Sequence, residues 1–290
     1  MNFQNIFNHI ESEDPEFYER TAPRRAALRT FMKGAALTAV PFALGSLLQK
    51  AYGQSVSSVT DILNFALTLE YLEAEFYAKG LTNASALGLT GASLAAFQTI
   101  GAHESAHVDF LKRTIEAAGG TPVPKPVFDF TGGVGSPGGP GQGPLQTVFT
   151  NYDVFLAVSQ LFEDTGVRAY KGQVTQLMDD KYNNILQAAL QIHSVEARHA
   201  AHVRYMRANR NSATNSEVIR PWITQAQSNI MLGDPVPAEA VQMVYDGENR
   251  TVQEGLDITQ FIPADTATQA FDEPLAMDDV LTIVAPFIKP

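Results

Sequence analysis

The stretch that decides the fold is Leu63-Asn-Phe-Ala66-Leu-Thr-Leu-Glu70-Tyr-Leu-Glu73-Ala-Glu-Phe-Tyr77. Its numbered residues recur with the 3-4-3-4 spacing that places side chains on one face of an α-helix. That face is mainly apolar, so the helix must bury it, and its carboxylates are buried with it. The sequence therefore predicts a core helix with an acidic centre.

Three further stretches repeat this frame, each with one glutamate in the middle of the stripe. The four sets of residues are Leu63, Ala66, Glu70, Glu73 and Tyr77; Phe97, Ile100, Glu104, His107 and Leu111; Leu156, Ser159, Glu163, Gly166 and Tyr170; and Ala189, Ile192, Glu196, His199, Val203 and Met206. The spacing between the glutamates is duplicated, because Glu104 follows Glu70 by 34 residues and Glu196 follows Glu163 by 33. The pattern indicates two copies of one helical hairpin.

The predicted fold is an all-α four-helix bundle with one long crossover and a C-terminal extension. A segment dominated by glycine and proline, from Gly119 to Pro144, separates the two hairpins. A flexible linker between two domains is the alternative, but each hairpin alone would leave an apolar face uncovered. The predicted helices are Val56–Gly80, Ser93–Ala118, Leu145–Met178 and Lys181–Asn209, within a bundle domain of residues 54–210.

Composition limits the chemistry. The chain has 290 residues, 45% of them hydrophobic, which is enough for a large core. A formal charge of -11 makes nucleic acid a poor partner. The chain has no cysteine, which excludes thiolate metal sites, iron–sulfur clusters and disulfides. Any metal must therefore be held by His, Asp and Glu.

Four carboxylates in one core need positive counter-charges, since unpaired buried charges are costly. Metal cations supply them. A buried hydrogen-bonded network without metal is the alternative.

These residues resemble the ferritin-like superfamily, whose di-metal members take one Glu from each of two helices and Glu-x-x-His from each of the other two. The stretch around Glu70 and the terminal Ala270-Phe-Asp-Glu-Pro-Leu275 resemble its exported branch, which includes desiccation-related proteins. The resemblance implies two iron or manganese ions per chain. It implies that Glu104 and Glu196 bridge the ions, and that the terminal ligands are Glu70, His107, Glu163 and His199.

Three neighbouring residues have open roles. Glu73 is either a seventh ligand or an ordinary helix residue. We expect Tyr77 and Tyr170 to be core aromatics whose hydroxyls contact ligand carboxylates, rather than redox relays. The other histidines are expected at the surface or an interface (His103), near the glutamate face (His193) and along an access route (His202).

The resemblance favours a protein of oxidative or desiccation stress, with ferroxidase-like or peroxide-consuming activity on dioxygen or peroxide. A manganese catalase has the same ligands, so the sequence does not separate the two. A metal-free structural or storage protein is the alternative from another class. We expect at least a homodimer, because Phe76 and Phe110 are predicted on outer faces.

Residues 1–53 have the layout of an export signal. Arg24-Arg25-Ala-Ala-Leu-Arg29 precedes an apolar run, and Ala51-Tyr-Gly53 offers a cleavage site. The pair of arginines resembles a twin-arginine signal, which implies a periplasmic or extracellular protein. An uncleaved membrane anchor is the alternative.

The extension, residues 211–290, has weaker patterns. Trp222–Met231 is predicted as a short helix, and Phe271–Ile288 as a terminal helix or strand. Within Val244–Gln260, Asp246-Gly-Glu-Asn249 is predicted as a turn between two short strands.

Overall fold

The bundle consists of four long helices. The structure is a computed structural model, which describes residues 58–210, 218–232, 238–253 and 255–289. The helices are α1 (Val59–Thr82), α2 (Gly91–Ala117), α3 (Tyr152–Val174) and α4 (Asn183–Ala208). The main contacts join α1 to α2 and α3 to α4, and weaker ones join α1 to α3 and α2 to α4. The predicted all-α four-helix bundle is confirmed.

The start of α3 differs from its prediction at Leu145. Asn151 caps the helix, because its Oδ1 accepts hydrogen bonds from the backbone N–H of Asp153 at 3.0 Å and of Val154 at 3.3 Å. Residues 145–150 form turns, although Leu145 and Val148 are buried. Their apolar character extended the helical pattern beyond the cap. Short 3-10 turns, Thr175–Leu177 and Asp180–Tyr182, connect α3 to α4.

The crossover between the hairpins is organised around a buried carboxylate. Asp129 accepts hydrogen bonds from the Thr131 hydroxyl at 2.7 Å and from the backbone N–H of Gly141 at 2.8 Å. The neighbouring Phe128 and Phe130 are buried in the core cluster of the bundle. The segment is therefore packed along the helices, unlike a flexible linker.

Phe76, predicted on an outer face, is fully buried, and that prediction is wrong. Its ring stacks on Phe155 with centroids 4.8 Å apart and contacts Phe130 of the crossover at 5.5 Å. The crossover covers the face that the helix pattern left open. Phe110 is partly buried against the core.

The extension packs on α3. Gly172 permits this approach, since an added Cβ would overlap the carbonyl oxygen of Leu275. The buried side chain of Arg168 reaches from α3 into the extension. Its Nε lies 2.7 Å from Oε1 of Glu248 and donates a hydrogen bond to the carbonyl oxygen of Glu273 at 2.8 Å. The elements of the extension are a helix at Ala238–Gln242, strands β1 (Val252–Gln253) and β2 (Leu256–Asp257), 3-10 turns at Ile258–Gln260 and Ala285–Phe287, a helix at Ala264–Thr268 and α5 (Met277–Val284).

Two predictions for the extension need correction. Trp222–Met231 is not helical, and Gln225 and Asn229 have positive φ angles of 55° and 53°, which a right-handed helix does not allow. Both paired strands come after Asp246–Asn249, so they do not flank that segment. That segment contains buried Glu248, whose carboxyl group contacts Arg168. Phe271–Ile288, predicted as a helix or strand, contains the helix α5.

The predicted leader, residues 1–53, lies outside the described residues. Within the described part of the chain, no helix has both the length and the apolarity needed to cross a bilayer.

Candidate metal centre

The four glutamates of the repeated frame meet in the middle of the bundle. Glu70, Glu104, Glu163 and Glu196 each come from a different helix, and each is 0% exposed. Burial follows from the helical spacing, since each glutamate shares a face with apolar residues that form the core.

Two overlapping groups of potential ligands result. Glu70, Glu104, His107 and Glu196 form one group, and Glu104, Glu163, Glu196 and His199 form the other. Within each group the ligand atoms lie within 4.8 Å of one another. Glu104 and Glu196 belong to both, which is the arrangement that two neighbouring cations would require.

Each imidazole faces three carboxylates. Nδ1 of His107 lies 3.2 Å from Oε2 of Glu70, 3.2 Å from Oε2 of Glu104 and 3.1 Å from Oε1 of Glu196. Nδ1 of His199 lies 2.9 Å from Oε1 of Glu104, 3.3 Å from Oε2 of Glu163 and 3.8 Å from Oε2 of Glu196. The duplicated hairpin has thus produced two similar half-sites.

The two tyrosines connect the hairpins crosswise. The Tyr77 hydroxyl, on α1, donates to Oε1 of Glu163 on α3, and the Tyr170 hydroxyl, on α3, donates to Oε1 of Glu70 on α1. Both phenols are buried, and burial together with the adjacent carboxylate raises the pKa of each well above its usual value. They remain protonated donors that hold the two outer glutamates in place.

Glu73 is a further buried carboxylate beside the cluster, 3% exposed, outside both groups of potential ligands. The equivalent position in the second hairpin is Gly166. A Cβ at Gly166 would lie 3.3 Å from Oε1 of Glu73, so the glycine leaves the space that this carboxylate occupies. The halves are therefore unequal at this point.

Charge balance dominates the electrostatics. Burial raises the pKa of Glu70, Glu73 and Glu163 well above the usual value for glutamate. Against the effect of burial, the two imidazoles lower the pKa of Glu104 to about 2. The surrounding carboxylates likewise outweigh burial and raise the pKa of His107 and His199 to about 12. The cluster demands positive charge, and protonated imidazoles supply it here.

Several buried ligand atoms contact an imidazole or a carboxylate without forming a hydrogen bond of suitable geometry. Among the described residues, the buried atoms without a hydrogen-bond partner include Oε1 of Glu104, Oε2 of Glu163, both carboxylate oxygens of Glu196 and Nδ1 of His199. Oxygen donors with one imidazole in each group form a set that suits iron or manganese. The buried cluster is therefore compatible with metal binding.

Sequence reasoning missed the position of His103. The residue is exposed, as expected, but its Nδ1 lies 2.9 Å from Nε2 of His199. The contact joins two helices, so spacing along either helix does not reveal it. His193 interacts with the carbonyl of Val167 at 3.0 Å and His202 is exposed beside Tyr205, so neither joins the two groups.

Comparison with known proteins agrees with this architecture. A family model described as a ferritin-like domain matches residues 58–209, which is the segment that forms the four helices. No curated protein matches the chain.

Proposed function

The chain belongs to the ferritin-like domain family, and from this premise we propose that it binds two iron or manganese ions and reduces dioxygen or hydrogen peroxide with them. The observation that carries the proposal is the sharing of Glu104 and Glu196 by both groups of potential ligands. In this proposal these two glutamates bridge the ions. Glu70 and His107 complete one position, and Glu163 and His199 complete the other.

Two bound ferrous ions would supply one electron each, so that dioxygen and two protons would give hydrogen peroxide, or peroxide and two protons would give two waters. The protein contributes a fixed, dry ligand set. The hydroxyls of Tyr77 and Tyr170 hold Glu163 and Glu70, and complete burial of these carboxylates keeps bulk water away. We infer a role in oxidative or desiccation stress from the resemblance of the Glu70 stretch and the C-terminal segment to that branch.

Metal analysis tests the ligand set. Freshly purified protein is expected to contain about two iron or manganese ions per chain by elemental mass spectrometry. The double variant Glu104→Gln, Glu196→Gln is expected to lose both. The matched control is Glu75→Gln, Glu116→Gln, which makes the same changes on α1 and α2 outside the two groups.

Retention of both ions by the Glu104→Gln, Glu196→Gln variant would contradict the assignment of bridging ligands. Native protein that folds and binds neither metal would favour the metal-free scaffold. Reaction assays separate the remaining alternatives. Loss of ferrous iron with dioxygen or peroxide supports the proposed function, whereas dioxygen release from peroxide by manganese-loaded protein alone identifies a manganese catalase.

We further propose export through the segment that begins at Arg24-Arg25, with cleavage after Gly53. Mass analysis of the protein from the producing cell is expected to show a chain that begins at Gln54. A chain that retains Met1 would support the membrane-anchored alternative.

Association into at least a dimer also remains a proposal. Phe76 no longer supports it, but large apolar side chains such as Val127 and Phe261 are 65% and 70% exposed. Light scattering is expected to give a mass of at least two chains.

A further inference from the structure

An apolar pocket adjoins one end of the glutamate cluster. Its volume is about 30 Å³, and the surface that lines it belongs to apolar atoms. Tyr170 lines it, and the hydroxyl of that residue donates to Glu70. Ala66 and Ile192, which also line it, stand one helical turn before Glu70 and Glu196. The pocket therefore lies directly beside the half-site that contains Glu70 and His107.

The outer side of the pocket lies between α2 and α4. Phe110, Ile185 and Ala189 line it there, and all three are only partly buried. Leu63 and Ala169, on the inner side, are buried. An apolar lining thus extends from the bundle surface to the phenol ring beside Glu70.

The duplicated hairpin shows that this space is particular to one end. Repeat positions differ by 93 residues for α1 and α3 and by 92 for α2 and α4, as the paired glutamates indicate. The pocket residues Ile62, Ala169 and Ala189 then correspond to three phenylalanines at the other end. These are Phe155, Phe76 and Phe97.

Those three rings fill their end of the bundle. Each side chain is 0% exposed. The ring centroid of Phe155 lies 4.8 Å from that of Phe76 and 4.9 Å from that of Phe97. One copy of the hairpin pattern thus closes its end with aromatic rings. The other has small or aliphatic side chains at the matching positions and leaves a pocket.

Size and polarity select the occupant. Small apolar cavities stay dry and take apolar guests such as xenon, and a volume of about 10–15 Å³ already holds one water-sized molecule. Dioxygen is an apolar diatomic molecule of suitable size, whereas hydrogen peroxide and metal ions would lose hydration without polar partners. We propose that this pocket binds dioxygen and delivers it to the Glu70 and His107 side of the cluster. The inference rests on the proposed function and selects dioxygen as its oxidant.

Filling the pocket tests the inference. Ala189→Phe copies the residue that closes the other end, and Leu190→Phe is the matched control because Leu190 is 44% exposed on the same helix. Metal-free native protein and the control are expected to bind xenon, by ¹²⁹Xe NMR, and Ala189→Phe to lose that binding. Ala189→Val provides a smaller filling, with an intermediate effect, if the larger ring prevents folding.

Kinetics with two oxidants complete the test. In iron-loaded protein, Ala189→Phe is expected to slow oxidation by dioxygen about tenfold and to change oxidation by peroxide less than about twofold. No xenon binding by native protein, an unchanged dioxygen rate, or equal slowing with both oxidants would overturn the inference. Native protein that binds two ions and reacts with neither oxidant would overturn the proposed function as well. If native protein reacts with dioxygen and Ala189→Phe reacts at the same rate, only the inference about the pocket would be overturned.

Discussion

Nδ1 of His103 lies 2.9 Å from Nε2 of His199, and the two imidazole rings stack within 15° of parallel. The equivalent position in the other half of the repeat is Val195, so His107 has no such neighbour at that position. The two half-sites therefore differ in the support of their histidines. A histidine that binds metal through Nδ1 keeps its proton on Nε2, and a hydrogen-bond acceptor there fixes the ring.

The first prediction concerns this contact. His103→Ala is expected to weaken binding of one of the two ions by about tenfold or more, since loss of a partner that orients a ligand has effects of that size. Titration calorimetry under anaerobic conditions measures the two affinities. His202→Ala, an exposed histidine on α4 outside both groups, is the control and is expected to bind as the native protein does. Equal weakening of both ions by His103→Ala would contradict the asymmetry.

The crosswise tyrosines give the second prediction. Tyr170→Phe leaves Oε1 of buried Glu70 without its donor, so the free energy of unfolding is expected to fall by about 1–3 kcal/mol. Urea denaturation of metal-free protein measures the change. Tyr71→Phe is the comparison, because the Tyr71 hydroxyl makes only a 3.4 Å contact with the carbonyl of Val123. Equal losses in the two variants would show that the Tyr170 hydroxyl does not hold Glu70.

The third prediction concerns the attachment of the extension. Arg168→Met removes a buried guanidinium that donates hydrogen bonds to three backbone carbonyls of the extension, and each buried acceptor left unpaired costs about 1–3 kcal/mol. The variant is expected to unfold earlier in urea and to be cut by protease within residues 238–289. Arg250→Met is the control, since the Arg250 side chain is 58% exposed and its 3.5 Å pair with Glu273 is worth about 1 kcal/mol or less. Equal protease sensitivity of both variants would refute this role.

The fourth prediction is a dependence of stability on pH. The pKa of His107 and of His199 rises from 6.5 to about 12 on folding, so their stabilisation is complete below pH 6.5 and is lost as the pH rises toward 12. Glu70 and Glu163 have raised pKa values, and their contribution also falls as the pH rises above 4.5. Metal-free protein is therefore expected to have a lower Tm at about pH 8.5 than at about pH 6.5.

Metal should reverse this trend, because it binds deprotonated imidazole. The rise in Tm on addition of manganese is expected to be larger at about pH 8.5 than at about pH 6.5. Glu248, outside the cluster, also has a raised pKa, about 8, but its effect is the same with and without manganese, so the metal-induced rise in Tm reports on the cluster. A metal-induced rise that is independent of pH would show that the imidazoles are not displaced from the carboxylates.

The sequence by itself determined the bundle and the place of its acidic centre. Helical spacing puts Glu70 and Glu104 on apolar faces, and a face that must be buried carries its carboxylate into the core whatever the loops do. The duplicated spacing likewise placed Tyr77 and Tyr170 at equivalent points. These are local properties of one helix or one hairpin, so the order of residues along the chain contains them.

Tertiary structure alone decided the contacts between distant segments. The crossover covered Phe76, Arg168 of α3 met Glu248 of the extension, and His103 met His199 across two helices. The end of the bundle that stays open depends on which side chains face one another, as Ala169 and Ala189 do at the pocket. Such contacts depend on packing between elements far apart in the chain, which periodicity within a helix does not describe.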